Sequence, residues 1–109
     1  MADELSVRQL TAAVMQLAKE KGFGVKPEDV SVPEKIALIH SEVSECYDAF
    51  RRKNIDGKDG FYEELADIVI RVLHLSGIYG IDLEKEILKK MDHNKERVWD
   101  WNKLNESHK

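Results

Sequence analysis

One cysteine, two prolines and six glycines are spread over 109 residues, and each shortage excludes something. A lone Cys46 leaves no internal disulfide framework and no cysteine-rich zinc site. So little proline and glycine leaves no linker-like stretch, and no segment repeats. No apolar run is long enough to span a bilayer and no signal pattern opens the chain, so the cytosol is the expected compartment. Basic residues are outnumbered, 17 Lys and Arg against 21 Asp and Glu, for a formal charge of −4. A mildly acidic chain lacks the basic footprint that binding to a nucleic-acid polymer requires. Strand-like alternation is scarce as well, which directs attention to helices.

Helical periodicity is abundant. The length fits one domain, residues 1–109, with an N-terminal helix within 1–22, a core over about 31–98 and a tail from 99 to 109. Leu10, Val14, Leu17 and Ala18 recur at helical spacing, with Asp3 or Ser6 as the cap and Gly22 as the stop. Ser31-Val-Pro-Glu34 has the form of a capping box with proline in the first turn, and predicts a second helix to about Lys53. On that helix Ile36, Ile39, Val43, Cys46, Tyr47 and Phe50 form the expected inward face, while Glu42 and Glu45 share an intermediate stripe with Leu38 and Ala49. The turn-rich stretch 54–60 ends it.

The third predicted helix, within 60–80, is the unusual one. Its apolar residues cover most of the circumference, and Glu63, Glu64, Asp67, Arg71 and His74 share the narrow remainder. Surface helices ordinarily do the reverse. Such a helix should be surrounded by others, with its acidic stripe in a crevice and part of the core completed by another subunit. Asp82 caps a fourth helix, with Leu83, Ile87, Met91 and Val98 expected inward and Lys90, Asn94 and Arg97 along one stripe. The expected architecture is an all-α, four-to-five-helix bundle.

Two helices thus each offer acids three residues apart, Glu42/Glu45 and Glu64/Asp67, and an i, i+3 pair projects on one side of a helix. Packed side by side they bring four carboxylates together. Mutual repulsion then calls for a hard cation, and an all-oxygen donor set points to Mg²⁺, with Mn²⁺ as a substitute. A carboxylate-bridged di-iron centre is a poorer use of these acids, because no histidine follows a glutamate at the three-residue spacing such centres need. Magnesium in carboxylate sites commonly completes its shell with phosphate oxygens. Lys90, Asn94 and Arg97 offer a point charge, an amide and a guanidinium fork suited to phosphate, or else stabilise the end of the fourth helix.

Glu42-x-x-Glu45, eighteen residues, Glu64-x-x-Asp67 and then Lys90-Met-Asp-His-Asn94-Lys-Glu-Arg97 resembles the MazG-like nucleoside triphosphate pyrophosphohydrolases, in particular the short type related to dCTP pyrophosphatase. The resemblance runs from about Ile36 to Trp99. It implies an all-α dimer or tetramer that cleaves a nucleoside triphosphate to the monophosphate and pyrophosphate, as a nucleotide-pool house-cleaning activity. It implies that Glu42, Glu45, Glu64 and Asp67 hold Mg²⁺ and take part in catalysis, and that Lys90, Asn94 and Arg97 contact phosphates. Ser41 stands where some relatives have a further acid, and Phe23 is the only aromatic before Tyr47, so neither a second ion nor a base preference carries over. The alternatives are a non-catalytic helical interaction module and a sensor that binds nucleotide without turnover.

Overall fold

The computed structural model describes residues 4–97, which are all-α. Four helices, α1 (Val7–Lys21), α2 (Val32–Arg51), α3 (Phe61–Ile78) and α4 (Leu83–Glu96), follow one another, with a single 3₁₀ turn at Pro27–Asp29. No helix among the described residues is long and apolar enough to cross a membrane. Asp3, Val98 and residues 99–109 lie outside the described range.

Local signals explain the boundaries. Ser6 and Gln9 form a reciprocal capping box at the start of α1, and Gly22 closes it in the left-handed conformation at φ 75°. Ser31 Oγ accepts the Glu34 N–H at the start of α2, with Pro33 in the first turn. Asp82 caps α4 by accepting the Lys85 N–H at 3.2 Å. The same carboxylate takes the Arg8 Nε at 3.0 and 3.1 Å, while Arg8 Nη1 reaches Glu84 at 2.6 Å. That ionic latch, on the surface, ties the start of α4 to the start of α1.

Packing places α3 at the centre, with α2 along one side and α1 along the other, and α4 reaching the rest of the chain mainly through α1. α2 and α3 run antiparallel: Cys46 lies against the Phe61 carbonyl at 4.0 Å and Glu42 meets Arg71 further along. The Phe50 and Phe61 rings join the two helices near their connection, centroids 5.6 Å apart. α1 crosses α3 closely at Gly77. A Cβ there would lie 2.5 Å from Met15 Sδ and 3.3 Å from Thr11 Cγ2, so the missing side chain forms the notch that receives α1.

Two expectations about burial are corrected. On α2, Cys46 is buried as expected, but Ile36, Val43, Tyr47 and Phe50 are exposed, and Glu42 and Ala49 of the intermediate stripe take the packed positions beside Cys46. On α4, Ile87 and Met91 are exposed rather than inward. Both corrections have one cause. Within the chain α2 packs mainly on α3 and α4 mainly on α1, and the rest of the apolar surface of each stays uncovered. Among the described residues no large side chain is fully buried, and the core is Ala18, Cys46, Ala49, Leu73 and Ile78.

Candidate functional site

The antiparallel pairing of α2 with α3 brings Glu42, Glu64 and Asp67 to one place. One carboxylate oxygen from each lies within 4.8 Å of those from the other two. Glu42 and Glu64 are 8% and 6% exposed, and Asp67 is open to solvent. Glu45, the fourth acid that the spacing gathers, is exposed and outside this trio, yet close enough for its charge to act on Glu64. Glu63 belongs elsewhere: its Oε1 accepts the Asp59 N–H at 3.1 Å and steadies the turn before α3.

The electrostatics record the crowding. Glu64 is held above the ordinary carboxylate value of 4.5, first by burial, then by the charges of Glu45 and Asp67, and then by the Glu42 carboxyl. Arg71 Nε donates to Glu42 Oε1 at 2.8 Å, and this is the one cationic contact to the trio among the described residues. The second oxygens, Glu42 Oε2 and Glu64 Oε2, are buried with no hydrogen-bond partner. Unsatisfied buried carboxylate oxygens are costly, and oxygen-only donors fit a hard divalent ion. The trio therefore can hold a metal ion, with donor chemistry suited to it.

Beside the acids a cavity of about 250 Å³ opens between α1, α2 and α3. Val14, Leu17 and Ala18 of α1, with Phe23 and Ile70, make its apolar walls; Glu42, Asp67, Arg71 and His74 make its polar end. His74 Nε2–H donates to the Gly24 carbonyl at 2.9 Å and pins the segment that carries Phe23. Gly24, at φ 94°, has the left-handed backbone that lets this segment turn tightly under Val30 and Asp29. Sequence reading missed this cavity, because its walls are ordinary core-type residues on α1; the only hint was Phe23 between two glycines.

Lys90, Asn94 and Arg97 are not among the residues that line this cavity. Lys90 is exposed and borders a separate apolar recess with Leu83, Glu86, Ile87 and Met91. α4 carries Lys90 and Asn94 and ends at Glu96, one residue before Arg97, and its main packing partner is α1. Cys46 is buried at the α2–α3 contact, as a small hydrophobe.

No family model matches this sequence, and no curated protein and no solved structure matches it.

Proposed function

We propose that the chain is a nucleoside triphosphate pyrophosphohydrolase, converting a ribo- or deoxyribonucleoside triphosphate to its monophosphate and pyrophosphate, with Glu42, Glu64 and Asp67 holding Mg²⁺ or Mn²⁺. The observation that carries the reading is the meeting of three carboxylates, two of them with orphaned buried oxygens, at the polar end of an apolar-walled cavity. Magnesium in such a site supplies charge neutralisation for phosphate oxygens and acidifies a coordinated water. The protein's part is placement. Phe23, Leu17, Val14 and Ile70 offer the flat apolar surface a nucleobase requires, and the acids lie where its phosphates would follow. Glu45, outside the trio and solvent-facing, is the acid left to accept the proton of the attacking water as the α–β phosphoanhydride bond breaks and pyrophosphate leaves.

The reading includes a homodimer or homotetramer, which the apolar surface supports. Val43, Tyr47 and Phe50 on α2 and Tyr62, Leu65 and Val69 on α3 are all exposed. At 100° per residue each set lies to one side of the mutual contact, roughly 70–140° round its helix, and in an antiparallel pair both turn to the same side. Neither set has a charged residue within its arc. On α3 that arc lies roughly opposite Asp67, Arg71 and His74, so a second copy can cover it and leave the cavity open. Lys90, Asn94 and Arg97 keep, in this reading, the phosphate-contacting role that the resemblance implies.

The test is release of pyrophosphate from a panel of ribo- and deoxyribonucleoside triphosphates with and without Mg²⁺. The expected result is cleavage that requires the ion, and a loss of about a hundredfold or more in Asp67→Ala with helical content retained. Binding of triphosphate without cleavage would instead favour a sensor, and neither binding nor cleavage would favour an interaction module.

A further inference from the structure

The cavity has a charge problem that the trio alone does not solve. Two of the three acids line it, and a polyphosphate approaching them meets negative charge. Among the residues that line it only Arg71 carries a fixed positive charge. Its position is intermediate: one helical turn beyond Asp67 on α3, bonded to Glu42 across the helix pair, and bordering the apolar wall. Its bonding is also incomplete. A guanidinium has five N–H donors in a planar fork, and Arg71 makes its contact to Glu42 through Nε. Its side chain is 40% exposed, and its hydrogen bond to the carboxylate is a single one through Nε rather than a bidentate fork. A purely structural counter-ion would present the fork to its partner and be buried with it. Arg71 gives Glu42 its Nε edge, and the same residue lines the cavity.

Resting on the metal and nucleotide reading above, we infer that Arg71 is the same-chain cation that receives the anionic part of the ligand, and that it serves Glu42 as a stand-in counter-ion until a divalent ion is bound. Glu42 exchanges one cationic partner for another when it joins Glu64 and Asp67 around the ion. The guanidinium, released from the carboxylate, turns its fork to a phosphate oxygen. Metal and anion are thereby coupled through one side chain: Arg71 opposes ion binding in the empty cavity and favours anion binding in the loaded one.

The coupling is read in two titrations that need no turnover. Mn²⁺ is titrated into the metal-free full chain, with the free ion followed by its electron paramagnetic resonance signal. A non-cleavable α,β-imido deoxynucleoside triphosphate is titrated in the presence of Ca²⁺. Arg71→Gln is expected to bind Mn²⁺ about threefold or more tighter, because a competing positive charge is gone. It is expected to bind the analogue about tenfold or more weaker, because a charge-assisted fork is gone. Arg71→Lys, which keeps the charge and folds under the same constraint, should restore part of the analogue affinity. Weaker Mn²⁺ binding by Arg71→Gln, or analogue affinity within twofold of the parent, would overturn the inference. A parent chain that binds Mn²⁺ but no triphosphate analogue overturns the nucleotide reading instead, so the two failures are distinct.

Discussion

Replacing Tyr47 by aspartate tests the uncovered face of the α2–α3 pair with little disturbance of the single chain. Tyr47 is 64% exposed and its one described aromatic contact is with the Arg51 guanidinium, 5.8 Å from the ring centroid. An exposed cation–π contact is worth at most about 1 kcal/mol, so the chain should keep its helical circular dichroism. The effect on association is much larger. An aromatic residue presents about 200 Å², of which roughly 130 Å² is open here. At about 25 cal/mol per Å² its coverage by a partner is worth roughly 3 kcal/mol. A two-fold interface contains each residue twice, so Tyr47→Asp removes about 6 kcal/mol, a factor of about 10⁴ in the dissociation constant. Sedimentation equilibrium over a micromolar to millimolar series reads this directly. The parent should be a dimer or tetramer, and Tyr47→Asp a monomer over most of the range. A parent chain that stays monomeric throughout, or a variant that associates equally well, would refute the argument from uncovered apolar area.

Three further outcomes follow, two from the interior and one from the surface. Because Glu64 is held above the ordinary carboxylate value, the folded chain binds its proton more tightly than the unfolded chain does; without a divalent ion the melting temperature should fall as pH rises from about 4.5 through the folded value. Glu64→Gln should flatten that slope, and Mg²⁺ should offset it in the parent only; a parent profile that rises over the same window would contradict the crowding. Asp82 works in a separate, more acidic range: the Arg8 hydrogen bond lowers it below the ordinary 3.8, so its stabilisation is lost as pH falls beneath that value. Leu73 is 4% exposed on α3, and Leu73→Ala should cost about 2–5 kcal/mol by urea denaturation, with a cost below 1 kcal/mol refuting its placement in the core.

The helices were legible because their signals are local. Ser6, Ser31 and Asp82 each sit a residue before the turn they cap, and Gly22 ends α1 by a conformation that the residue type alone anticipates. Three of the four acids were legible for a related reason: i, i+3 spacing on two successive helices joined by a short connection leaves few ways to keep the pairs apart. Arg71 was placed on the acid stripe, but its partner was not, since the bond to Glu42 depends on the register between α2 and α3. Periodicity misled on α2. Val43, Tyr47 and Phe50 make a wider apolar stripe than Glu42, Cys46 and Ala49, and a helical wheel cannot say whether such a stripe meets the same chain or another. Glu42 shows the converse: a carboxylate is assigned to a boundary by composition, and only packing takes it inside.

The seam at Gly77 bears on what the cavity can admit. Val14, Leu17 and Ala18 belong to the helix that this glycine lets approach, so the distance from the apolar wall to the acids is gauged by a contact that involves none of the acids. A bulkier residue at 77, or a shorter one at Met15, would reset that clearance and leave every carboxylate in place. The width of the cavity and the placing of its acids are thus governed by different parts of the chain.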